Sequence, residues 1–321
     1  MRKKSVLALL FAGGLLSSKH PALSADYRST EGHKDNGVVQ SVAEDSQLPP
    51  ELRAYFLLQL VEGLIDRRSS IGEKKFEYKV QVSQSWWLSK KQTALRDFLQ
   101  RVARSEQLEQ KNPSSNPIPA ATKKFAQSMI TKALAELDSS SDDFCKLNFY
   151  FIASNQFKIF GDQSGYLKYK KIVDDAIHSC EADNSTANDN TILAAAAILD
   201  AMAYAIIPVN IPDRFDLKNS EKVDFTEQEY SESRKLKQRS NAILDHLKSD
   251  NHNRRKAHRD LALWYLVLQK DQESEAEKKV LFDLVGIHDD RLLFPTSGGC
   301  GHVVWWVVDV KEQVGYDCGM G

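Results

Sequence analysis

The chain has 321 residues, and its 43 lysines and arginines nearly balance 44 aspartates and glutamates. That balance removes any global electrostatic case for binding nucleic acid or an anionic surface. At 27% charged and 42% hydrophobic the composition is that of a soluble globular protein, and a glycine-poor middle favours helices over a turn-rich β fold.

The chain opens MRKKSVLALLFAGGLLSSKHPALSAD. Arg2, Lys3 and Lys4 precede an apolar run from Val6 to Leu16, and small residues follow at Ala22, Ser24 and Ala25. This is the layout of a secretory signal over 1–25, with cleavage expected after Ser24 or Ala25. The run is shorter than the about 20 residues that span a bilayer, so retention as an anchor is the lesser expectation. Export would place the chain in the periplasm, the cell envelope or outside the cell.

Residues 26–47 are polar without periodicity and read as a flexible lead-in. An N-terminal helical region with a short strand is expected over 48–110. Pro49 and Pro50 open a helix through Asp66, with Leu52, Phe56, Leu60 and Leu64 at four-residue steps. Phe76, Tyr78, Val80 and Val82 alternate with polar residues, which predicts a strand over 76–82. Beyond Trp86 and Trp87, Ser89 and Gln92 have capping-box spacing ahead of a stripe at Leu95, Phe98, Leu99 and Val102. KNPSSNPIPAA (111–121) is a Pro/Ser linker and the clearest candidate boundary.

A helical-hairpin domain is expected over 122–290. Phe125, Met129, Ile130, Ala133, Leu134 and Leu137 make its first stripe. One hairpin runs from Phe144 to Phe160, turns at Gly161–Gly165, and returns from Tyr166 to Cys180. ILAAAAILDAMAYAIIPV (192–209) raises a transmembrane question, which Asp200, the alanines and Pro208 decide for a buried helix. The second hairpin pairs Ala257–Lys270 with Glu275–Ile287. Eight apolar residues, Leu261–Leu268, make its first helix apolar all round and therefore central, with Trp264 expected against the 275–287 helix.

The return helices share a phrase, KKIVDDAI (170–177) and KKVLFDLV (278–285). Helix pairs of this length resemble tetratricopeptide-type repeats. The resemblance covers two units and implies stacked antiparallel hairpins. The glycine and proline positions of that family do not recur here in register, so it assigns no residue a function.

Four cysteines in an exported chain suggest disulfides. Cys145 and Cys180 each stand about 15 residues from the turn, ~22 Å along antiparallel helices, so they should lie level and pair. Cys300 is then left to pair with Cys318. That link would close a tail over 291–321 and hold the apolar strip Val303–Val310 as core, in a hairpin or a strand with an irregular return.

Chemistry could enter at GGCGH (298–302), with Cys300 as nucleophile, a histidine such as His302 as base, and glycine N–H groups as an oxyanion hole. A disulfide at Cys300 is the stronger expectation. His246, His252 and His258 recur every six residues and read as solvated surface groups. The basic runs Arg234–Arg239 and Arg254–Arg259 read as solvated helix faces, or else as contacts for an acidic partner or anionic polymer. Asp200 sits on the helix's one wet face, or is buried with a partner and marks a site. Asn184 begins a glycosylation acceptor if the host glycosylates. No phosphate loop, paired-carboxylate motif or metal-ligand cluster is recognisable in the sequence, and no cofactor is expected.

The expected fold is mainly α, in repeat-like antiparallel hairpins, with a short β contribution near 76–82 and in the tail. The expected function is an exported interaction or scaffold protein with an unknown protein or envelope partner, no nucleic acid, and no transmembrane span after signal cleavage. The alternatives are an exported hydrolase using GGCGH or Asp200, and an envelope-anchored structural protein.

Overall fold

The computed structural model describes residues 48–69, 84–111, 118–182, 186–209, 223–248 and 251–286, with His288 and two residue pairs of the tail. The expected signal and lead-in, the strand over 76–82, residues 112–117 of the Pro/Ser segment, Asn184, and Cys300, His302 and Cys318 lie outside the described residues. Among the described residues the chain is mainly helical, with nine helices. They are α1 (Pro50–Ser69), α2 (Gln84–Lys111), α3 (Ala120–Leu137), α4 (Asp143–Ile159), α5 (Gln163–Glu181), α6 (Asp189–Ile206), α7 (Glu227–Leu244), α8 (Asn251–Val267) and α9 (Asp271–Val285). In the tail, Thr296–Ser297 and Val303–Val304 pair antiparallel, a point of pairing too short to form a layer of the fold.

The buried faces of α1 to α7 meet in one core that runs from Leu52 to Leu247, so the helices on both sides of residues 112–117 share it. α1 lies on α3, α2 on α4 and α6, α4 on α5 and α6, and α6 on α7. The last hairpin, α8 and α9, adds a smaller cluster built on Trp264, Tyr265, Leu261 and Leu268, against Tyr230 of α7 and Ile207 and Val209. Trp264 is buried as expected, but its stacking partner is Tyr230, with ring centroids 5.9 Å apart and planes 9° from parallel.

The first hairpin follows from its turn chemistry. Gly161 adopts φ +78°, and the N–H groups of Gly161 and Asp162 donate to the carbonyls of Lys158 (3.1 Å) and Phe157 (2.8 Å). That is the Schellman closure, which needs a left-handed residue after the helix. Asp162 also caps the return helix, accepting from the Gly165 N–H at 2.9 Å. The second hairpin closes in the same way. Gln269 has φ +58°, and Gln269 and Lys270 donate to Leu266 (3.1 Å) and Tyr265 (2.9 Å).

The two hairpins keep a constant separation. Asp143 and Asn251 begin the outgoing helices 108 positions apart, and Ile159 and Val267 end them at the same offset. Gly161 and Gln269 hold it through the turn, and the two lysine-led phrases hold it along the return helices. Within the phrase Val173 and Leu281 are buried while Ile172 and Val280 are exposed. α3 and α7, each of 18 residues, precede the hairpins at nearly the same spacing. The recurring arrangement is thus a helix plus a hairpin, Ala120–Glu181 and Glu227–Val285, with α6 between the two, and each is longer than the two-helix tetratricopeptide repeat.

Some local expectations are corrected. α2 already runs from Gln84, so Ser89 and Gln92 lie inside a helix and not at its start. The true capping box is Thr226 with Glu229, whose side chains satisfy each other's backbone N–H groups at 3.1 and 2.9 Å. On α1, Leu60 and Leu64 are only partly buried, while Leu57, Leu58, Val61 and Ile65 are interior. α1 meets both α3 and α4, which widens and rotates its buried face. α6 is long and apolar enough to cross a membrane by length and composition, yet Ala194, Ala195, Ile198, Leu199 and Ala201 pack in the core.

Candidate functional site

Asp200 lies at the junction of four helices, on the wall of a cleft of about 60 Å³. α2 contributes Arg96 to its lining; α7 contributes Lys237, Ser240 and Asn241; α8 contributes Asn253, Lys256 and Asp260. Both sequence expectations for Asp200 are partly met. Its side chain is one-third exposed, and its Oδ1 accepts from Lys237 Nζ at 2.8 Å. Lys237 therefore does not lie on a freely solvated face, as its basic run suggested. Arg239 of the same run pairs with Glu181 at 2.6 Å, and Arg234 with Glu273 at 3.7 Å.

The remaining charges of the cleft are unevenly matched. Asp260 is held by Arg259 at 2.5 Å. Arg96 and Lys256 make no hydrogen bond or ion pair among the described residues. Burial first, then the charge of Arg96, lowers the Lys256 pKa, and the Asp260 and Asp200 carboxylates only partly compensate. Two like charges thus face one cleft with no acceptor of their own. Beside them Asn241 is 8% exposed, and its Nδ2 is buried without a hydrogen-bond partner. An unmet buried donor costs about 1–3 kcal/mol.

The constant offset shows how unusual this face is. Asn253, Lys256, Ala257, Asp260 and Leu261 of α8 correspond to Cys145, Asn148, Phe149, Ile152 and Ala153 of α4. All five α4 residues are fully buried, because α1, α2 and α6 cover that side of the helix. The second hairpin places a lysine and an aspartate where the first places buried Asn148 and Ile152.

His258 is the second corrected site. It is buried rather than solvated, with Nδ1 2.9 Å from Glu277 of α9 and Nε2 3.8 Å from Asp245, the C-cap of α7. Burial alone lowers its pKa, and the two carboxylates outweigh burial to raise it to about 9. This cluster ties three helices together. His246 is half-buried, its Nδ1 2.8 Å from the Cys180 carbonyl oxygen, and His252 is exposed. Among the described residues no group of histidines, cysteines and carboxylates has the arrangement of a metal site.

Cys145 and Cys180 stand at the same end of the first hairpin, yet they are two buried thiols with no bond between them. Cys145 faces Asp142, Lys91 and Glu51, whereas the charged neighbour of Cys180 is Glu181. Equal height on antiparallel helices does not join side chains that face different neighbours around the axis. Burial, with the charge of Asp142, pushes the Cys145 thiol far up, and burial with Glu181 pushes Cys180 to about 11. Neither has the lowered pKa of a reactive cysteine.

A scan against protein-family models and searches of curated proteins and of solved structures return no match to this chain.

Proposed function

We propose that the chain is an exported helical interaction protein, built from two repeat-like hairpin units, which receives part of its partner in the cleft beside α8. The observation that carries the proposal is the exchange at equivalent positions described above, in which Lys256 and Asp260 replace the buried Asn148 and Ile152. A hairpin face that the fold covers with helices in one unit carries charged groups around a cleft in the other. Such faces are what helical repeats offer to partners. Asp200 is engaged by Lys237, which favours binding over acid–base work at this cleft. Export is supported by Arg2, Lys3 and Lys4, the short apolar run and the ALSA segment. A short β contribution near 76–82 and in the tail, with a Cys300–Cys318 link, belongs to the same proposal.

Co-purification from the cell envelope of the chain's own host tests it. Proteins retained by the wild-type chain should be lost when Arg96→Gln and Lys256→Gln are combined. An unchanged set of retained proteins, or a chain held in the cytoplasm, contradicts the proposal.

A further inference from the structure

We infer that the cleft between α2, α6, α7 and α8 binds a single carboxylate group, held by Arg96, Lys256 and Asn241. The inference rests on the cleft being a contact site and names the chemistry it accepts. Arg96 and Lys256 are cations without a partner among the described residues. Asn241 Nδ2 is a donor that has lost water and gained no acceptor. One anion placed among them would satisfy all three, and charge-assisted hydrogen bonds are the strong kind.

The lining favours a carboxylate. Lys237 pairs with Asp200 and Arg259 with Asp260, which leaves Arg96 and Lys256 as the charges that face the cleft without an acceptor among the described residues. A phosphate dianion would bring two negative charges against the two fixed carboxylates, whereas a carboxylate brings one. The cleft, about 60 Å³, has room for a small polar group such as a carboxylate. Because Lys256 replaces a buried residue of the first hairpin, its charge has been placed on a face the fold otherwise covers. Without a ligand the Lys256 charge is disfavoured, first by burial and then by repulsion from Arg96. Binding and stability therefore pull in opposite directions at this residue.

The carboxylate could belong to a free small acid or to a glutamate side chain of a partner, and two probes separate these sources. The full chain is titrated with sodium acetate, and with a capped Gly–Glu–Gly peptide, each against sodium chloride at equal ionic strength. Acetate should raise the thermal midpoint saturably beyond the chloride control. Arg96→Gln and Lys256→Gln should each weaken the response about tenfold. In the absence of acetate, Lys256→Gln should melt no lower than the wild type, which a purely structural lysine would not do. Tighter binding of the peptide, competed by acetate, assigns the site to a partner's side chain; acetate binding without peptide binding assigns it to a free acid. No saturable response to either probe, or equal binding by both variants, overturns the inference. If neither probe binds while a partner still co-purifies through Arg96 and Lys256, the carboxylate falls and the contact site stands. If acetate binds and nothing co-purifies, the reverse holds.

Discussion

Replacing His258 with glutamine isolates the contact that ties α7, α8 and α9. The imidazole is 10% exposed and sits between Glu277 and Asp245, 2.9 and 3.8 Å away. Its pKa, raised to about 9 from the usual 6.5, means that folding favours the charged form. A group raised in this way contributes its full stabilisation below the unfolded value of 6.5, and loses it as pH rises through about 9. At about 1.4 kcal/mol per pH unit that interval corresponds to roughly 3 kcal/mol. The Asp245 side chain is 44% exposed, so solvent screening reduces the expected effect to about 2 kcal/mol. Urea melts of the wild type and His258→Gln at pH 5.5, 7, 8 and 9.5 measure it directly. The wild type should be the more stable by its widest margin at pH 5.5, and the margin should shrink by about 2 kcal/mol by pH 9.5. Two parallel curves across that range would refute the reasoning, because the ion pair would then contribute nothing to folding.

Trp264→Ala should destabilise the chain by about 3–5 kcal/mol in a denaturant melt, since the indole is 2% exposed and stacked on Tyr230; a change near zero would mean that α8 does not lie against α7. At Gly165 a Cβ atom would meet the Phe157 ring at 2.8 Å, so Gly165→Ala should cost about 1–3 kcal/mol and lower the thermal midpoint by several degrees. An unchanged midpoint would place α5 further from α4 than found here. Cys145 and Cys180 should resist iodoacetamide at pH 8 in the native chain and react once it is denatured. A 145–180 disulfide peptide in a non-reducing digest would contradict the unbonded thiols.

The first hairpin was legible almost to the residue because its signals are local. Gly161 supplies the left-handed turn, and Asp162 caps the return helix three residues before Gly165. The capping boxes were not legible. The Ser89–Gln92 spacing occurs inside helices as well as at their starts, while Thr226–Glu229 precedes a segment too charged to show an apolar stripe. His258 was misjudged because spacing along the chain says nothing about α9, which supplies Glu277. The shared phrase at 170 and 278 falls at the same offset that the helix bounds and turns keep, and neither of those can be read from the phrase itself. Asp200 was legible as a lone carboxylate in an alanine-rich helix. Its neighbours Arg96, Asn241 and Lys256 come from three other helices, and no pattern along the chain joins them.

The account stands or falls on whether a partner occupies the cleft. A photo-crosslinking amino acid placed at Asn253, on the α8 wall, and activated in the chain's own host measures this directly. One discrete crosslinked product is predicted, abolished when Arg96→Gln and Lys256→Gln are introduced and absent when the crosslinker is placed instead at exposed Leu167 on α5, which does not line the cleft. A product at Asn253 that persists in the double variant, or none at all while the chain is folded, would contradict the account.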